Sequence, residues 1–139
     1  MANKPKSQDI SDIPESYQRY LDEIYSIAYK KKKGGWVSNK EIADALSVKP
    51  ASVSGMLEKL KKKELIHWEQ RKSIRLTKKG KNIAEHLSKV HSLLDDFFGK
   101  VLKIEDNELI NNLSCQIEHH ITTEVKESLE KFLDKFLSK

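Results

Sequence analysis

The chain has 139 residues, 26 of them Lys or Arg and 21 Asp or Glu, for a formal net charge of +5. That length suits one domain, or one small domain with a helical extension. No apolar run approaches the roughly 18 residues that span a bilayer, and the N-terminus lacks the apolar segment of a secretion signal. A single cysteine excludes an intramolecular disulfide and fits a reducing, cytoplasmic setting.

Charge is unevenly spread along the chain. Residues 1–82 hold 19 basic against 10 acidic side chains, a balance of +9, whereas residues 83–139 hold 7 against 11, a balance of −4. A polyanion partner is therefore expected for the first part alone. Solubilising lysine faces at 30–33 and 59–63 are the alternative. The pattern of the neighbouring residues weighs against it.

In chain order, residues 1–14 read as a mobile tail. The spacing of Tyr17, Tyr20, Leu21, Ile24, Ile27 and Ala28 predicts a helix over 15–33, started at Pro14 and ended by Gly34-Gly35. Ser38 and Glu41 have capping-box spacing before a helix carrying Ile42, Ala43 and Leu46. Pro50 opens a second helix whose Val53, Met56, Leu57 and Leu60 lie on one face. Ile66 and Trp68, a polar tip at Gln70–Ser73, then Ile74 and Leu76 predict a short two-stranded ribbon. Two crossed helices followed by a basic ribbon form a winged helix-turn-helix, which places its second helix in the DNA major groove.

Lys49, Ala51, Ser52, Ser54 and Gly55 fall on the outer side of that second helix's first turns, where small residues allow close approach to bases. Lys59, Lys62, Arg71 and Lys72 are candidates for phosphate contact. No Arg, Asn or Gln occupies that first turn, so sequence reading is expected to lean on DNA shape and half-site spacing.

Thr77 suits the start of a long helix over about 78–100, with Ile83, Leu87, Val90, Leu94, Phe97, Phe98 and Val101 on its apolar face. His91 shares that face, and Asp95 one turn later is a natural partner for it without any metal. The next helix, expected over 105–120, carries Cys115, Glu118 and His119 at i, i+3 and i+4. A thiolate, a carboxylate and an imidazole on one turn suit a divalent transition metal, with His91 able to add a ligand from the facing helix. Thr122 then caps a last helix whose Val125, Leu129, Phe132, Leu133 and Phe136 exceed what one small domain must cover. A homodimer interface is expected there.

The fold expected from these elements is mainly α, an N-terminal winged helix-turn-helix (15–76) followed by an all-helical dimerisation and metal-binding domain (77–139). In this order of parts the chain resembles the DtxR/MntR family of metal-dependent transcriptional repressors. The segments that carry the resemblance are YLDEIYSIA, SNKEIADALSVKPASVSGMLEKL, LTKKGKNIA, VHSLLDDFF and CQIEHH. The length is similar to that of the two-domain, MntR-like branch, which lacks the SH3-like third domain of longer members.

The resemblance implies that His91, Cys115, Glu118 and His119 stand at metal-ligand positions. It implies that Asp22 stands where manganese-type members have a first-helix glutamate, and Asp95 at a carboxylate of an ancillary site. Cys115 occupies a position that is cysteine in iron-type members and glutamate in manganese-type ones. Arg19 departs from the family, which usually offers an aspartate or methionine ligand there, and this speaks against a binuclear manganese site of the usual pattern.

The function expected is that of a homodimeric, metal-activated repressor of metal-uptake or homeostasis genes, bound to a double-stranded DNA operator. Fe(II) is favoured by the thiolate, with Mn(II), Zn(II), Co(II) and Ni(II) open. The alternative is a metal-independent, MarR-like winged-helix regulator sensing a small molecule or an oxidant. An enzyme is not expected, because no second catalytic constellation accompanies Glu118 and His119.

Overall fold

The computed structural model describes residues 10–31, 36–69 and 73–138. The first nine residues of the expected tail, Gly34 and Gly35, and Gln70, Arg71 and Lys72 at the ribbon tip lie outside them. The chain divides into two compact units, residues 14–85 and residues 86–139 together with those up to 13.

In the unit of residues 14–85, α1 (Glu15–Lys30) begins after Pro14 and buries Leu21 and Ile24, with Gln18 beside them. The Lys31 amide donates to the Ala28 carbonyl at the end of α1, and residues 32 and 33 of the expected helix lie outside the described residues. From there Lys31 reaches forward, its Nζ donating to Glu41 Oε1 at 2.6 Å and to the Trp36 carbonyl at 2.9 Å. Glu41 also accepts from the Ser38 amide and Ser38 Oγ accepts from the Glu41 amide, completing the capping box that opens α2 (Asn39–Leu46).

Ser47 adopts a left-handed conformation (φ 55°) that ends α2 and turns the chain within three residues into α3 (Pro50–Lys62). Asn39 Nδ2 spans the turn, donating to Ser54 Oγ at 2.9 Å and to the Pro50 carbonyl at 3.3 Å. Val53, Leu57 and Leu60 of α3 are fully buried with Ile42 of α2, as helical spacing requires.

Strands β1 (Ile66–His67) and β2 (Arg75–Leu76) pair antiparallel, Ile66 opposite Leu76 and His67 opposite Arg75. Val37 adds a bridge to Ile74, a third chain in the ribbon that the sequence reading missed. Ile66 and Trp68 turn inward and His67 outward, so the ribbon's apolar residues join the helical core.

Thr77 closes the ribbon onto the next helix. Its Oγ1 donates to the Glu64 carbonyl at 2.7 Å and accepts from the Gly80 amide at 3.1 Å, capping α4 (Lys78–Asp96). Gly80 passes so close to the Leu65 backbone that a Cβ would stand 2.1 Å from its carbonyl oxygen.

The division between the units falls inside α4, after Glu85. Beyond it, Leu87, Val90, Leu93 and Leu94 are buried. The helix widens into one broad turn over Phe97–Val101, where the Leu102 amide reaches back to the Phe97 carbonyl. Asp106 caps α5 (Asn107–Ile117), its Oδ1 accepting from the Leu109 amide. A tight turn over Glu118–His120 follows, then α6 (Thr123–Leu137), capped by Thr122. Ile10 and Ile13, before α1, are buried, and the short turn Ile10–Asp12 packs against Glu118–His120. On α6, Leu133 is buried while Val125, Phe132 and Phe136 are exposed. Phe97, Phe132 and Phe136 form a chain of ring contacts at 6.2 and 5.7 Å. Among the described residues no helix is long and apolar enough to cross a membrane.

Candidate metal centre and nucleic-acid interface

Three ligating side chains converge in the unit of residues 86–139. His91 comes from the second half of α4, Cys115 from the last turn of α5, and Glu118 from the first residue of the tight turn after it. One ligand atom from each falls within 4.8 Å of the other two. Cys115 and Glu118 come together because residues three apart share a helix face, and the Glu118 amide still donates to the Ser114 carbonyl as in an α-helix. His119 follows in the tight turn over Glu118–His120. It is as buried as Glu118, at 5% against 3% exposed, but is not one of the three convergent residues.

His91 sits between two sets of acceptors. Its Nδ1 lies 2.7 Å from Glu118 Oε1 and 3.9 Å from Cys115 Sγ. Its Nε2 lies 3.0 Å from Asn111 Oδ1 and 3.3 Å from Asp95 Oδ2. Ser114 Oγ donates to the other carboxylate oxygen of Asp95 at 2.6 Å. The hydrogen bond to Glu118 is the main cause that raises the His91 pKa above its ordinary value; burial opposes it, and the charges of Asp95 and Glu118 add to it. Oxygen acceptors lie at both nitrogens of the ring.

The donor set fits a divalent transition metal. Thiolate, imidazole and carboxylate are the zinc- and iron-type ligands, and bonds of about 2.0–2.3 Å span separations comparable to those here. Glu118 is buried, as a ligand carboxylate with a fixed partner would be.

Asp95 faces the outer nitrogen of His91 rather than the convergent atoms. Asp22 is half-buried on α1, in the unit of residues 14–85. Arg19, also on α1, pairs with Glu15 at 3.4 Å. Sequence reasoning missed Asn111 and Ser114. Asn111 is one helical turn before Cys115, a spacing that could have pointed to it.

On the other unit, Lys49, Ala51, Ser52, Gly55, Lys59 and Lys62 are exposed along α3, and nothing lies within 4 Å of where a Gly55 Cβ would be. Ser54 is half-buried and held by Asn39, so its oxygen is already engaged as an acceptor. Arg71 and Lys72 lie outside the described residues. Arg75, on β2, rests its guanidinium 5.5 Å from the Trp36 ring centre, a basic residue of the ribbon that the sequence reading passed over.

Residues 12–74 match the family described as iron dependent repressor, N-terminal DNA binding domain. Residues 77–138 match the companion description, iron dependent repressor, metal binding and dimerisation domain. Among solved structures, the manganese regulator SloR is 32% identical over 85% of this chain, with a TM-score of 0.67. ScaR with bound Zn2+ is 28% identical over 85%, at 0.70, and the metal-dependent transcriptional regulator MtsR is 26% identical over 85%, at 0.71. The chain spans 53% of the length of each of these three. It belongs to the iron-dependent repressor family, the DtxR/MntR group of metal-dependent regulators.

Proposed function

We propose that the protein is a metal-activated transcriptional repressor, not an enzyme, acting on DNA in the cytoplasm. The observation that carries this reading is the convergence of His91, Cys115 and Glu118 in a chain whose other unit is a winged helix-turn-helix. Those three residues would hold the ion, with His119 and Asp22 added on the family resemblance alone. The bound ion supplies a fixed positive charge that thiolate, imidazole and carboxylate share. Relatives described as a manganese regulator and as binding Zn2+ support a divalent cation, and the thiolate favours Fe(II).

Lys49, Ala51, Ser52, Ser54 and Gly55 would meet the major groove. Lys59 and Lys62, with Arg71 and Lys72 of the ribbon tip, would neutralise phosphates. The exposed α6 residues Val125, Phe132 and Phe136 would bury themselves against a second copy, giving two DNA readers at a fixed spacing. The boundaries we propose are residues 15–76 for the DNA reader and 77–139 for the metal-binding and dimerising part.

Switching requires differential affinity: moving an equilibrium from 1:99 to 99:1 takes about 5.5 kcal/mol of preference for the DNA-competent form. Duplexes selected from a random pool, then titrated with protein in Co(II) or in chelator, test the reading. Tight binding only with the cation is expected. Equal affinity in both conditions eliminates metal activation and leaves a metal-independent regulator of the MarR kind.

A further inference from the structure

Asp95, Asn111 and Ser114 form a second ring of contacts around the candidate metal centre. The two nitrogens of His91 are treated differently by their surroundings. Nδ1 faces Glu118 Oε1 and Cys115 Sγ. Nε2 faces Asn111 Oδ1 at 3.0 Å and Asp95 Oδ2 at 3.3 Å, and both of these accept. A neutral imidazole carries one proton, and only one nitrogen is left with a lone pair. Nδ1, the nitrogen that faces Glu118 and Cys115, would give up its proton to a cation held by all three, and the two acceptors on Nε2 would keep the remaining proton there. Asp95 is itself anchored: Ser114 Oγ donates to its Oδ1 at 2.6 Å, and Ser114 is buried one residue before Cys115.

We infer that Asn111 and Asp95, the latter braced by Ser114, are positioning residues that fix His91 as an Nδ1 ligand and are not themselves ligands. The inference rests on the metal reading of His91, Cys115 and Glu118. It assigns Asp95 a different role from the ancillary-site carboxylate that the family resemblance suggests. Asn111 accepts a hydrogen bond as a neutral amide, and Asp95 spends one oxygen on Ser114 and the other on the ring. Neither is left with an oxygen facing the three convergent atoms. Outer partners of a ligating histidine set its tautomer and ring orientation, and their loss typically lowers metal affinity 10- to 100-fold without changing the ligands.

Co(II) and Zn(II) titrations of the full chain test this, using wild type, Asn111→Ala, Asp95→Ala and Asp95→Asn. Affinity is read by competition with a chelating dye. The ligand set is read from the Co(II) spectrum, and the tautomer from long-range nitrogen–proton NMR of the Zn(II) form. The expected result is one Co(II) per chain with a thiolate charge-transfer band, and a proton on His91 Nε2. Asn111→Ala and Asp95→Ala should bind 10- to 100-fold more weakly with the saturated spectrum unchanged, and Asp95→Asn, which keeps an acceptor, should lose less. Unchanged affinity in Asn111→Ala and Asp95→Ala overturns the inference. So does metal on Nε2, or an Asp95→Ala spectrum or stoichiometry that differs from wild type, which makes Asp95 a ligand. A wild-type chain that takes up no Co(II), or shows no thiolate band, overturns the metal reading itself.

Discussion

His91 Nδ1 and Glu118 Oε1 lie 2.7 Å apart, joining the second half of α4 to the turn that follows α5. This hydrogen bond to a buried carboxyl group raises the pKa of His91. A group that holds its proton more tightly when folded adds stability that is fully present below its unfolded value, near 6.5, and is lost as pH rises through the raised folded value. The melting temperature of chelator-treated protein should therefore fall across that window, and His91→Gln should flatten the dependence. The same proton competes with a cation, so Zn(II) affinity should weaken as pH drops through the window. Scanning calorimetry in chelator and zinc titrations at several pH values measure both.

Cys115 sets the preference among metals. A thiolate favours softer divalent ions, whereas Mn(II) prefers oxygen-rich shells and lies lowest in the affinity series. Cys115→Glu should raise the affinity for Mn(II) relative to Co(II) by about tenfold or more. Competition between the two ions on one sample reads the ratio directly, and an unchanged ratio removes the thiolate from the coordination shell.

Two glycines should respond in opposite ways to alanine. At Gly80 the new Cβ would meet the Leu65 carbonyl oxygen at 2.1 Å, so backbone must move. The strain, roughly 2–4 kcal/mol, exceeds the gain of up to about 1 kcal/mol in helix propensity. At Gly55 nothing lies within 4 Å, so Gly55→Ala should stabilise the fold by about that propensity gain. On our reading of α3 as the groove-facing helix, Gly55→Ala should also weaken DNA binding. Urea denaturation gives the stabilities, and the DNA titration gives the second effect.

Most of the helical frame was legible because its signals are local. Ser38 and Glu41 form the capping box that their spacing announces, and Leu57, Leu60, Leu87 and Val90 are buried as their periodicity requires. What escaped notice depends on contacts between distant residues or on a change of helical period. Val37 contributes one bridging residue to the ribbon, too short a segment for alternation to show. The change from α5 to a tight turn at Glu118 has no mark in the spacing of Cys115, Glu118 and His119. Asn111 and Ser114 look like ordinary helix residues until α5 lies beside His91 and Asp95.

Lys59 and Lys62 are exposed near the end of α3. If they neutralise phosphates, Lys59→Ala and Lys62→Ala should each weaken binding to specific and random duplexes alike. Each should also reduce the slope of log affinity against log salt by about 0.9. Fluorescence anisotropy over a salt series gives that slope. A loss confined to one sequence would make the residue a base reader instead.

The central claim is that His91, Cys115 and Glu118 hold one divalent cation together. X-ray absorption at the cobalt edge of Co(II)-loaded protein tests it most directly. The account predicts one sulfur neighbour with nitrogen and oxygen making up the rest, an imidazole signature that disappears in His91→Gln, and no sulfur in Cys115→Ser. A shell of nitrogen and oxygen alone in the wild type would contradict it.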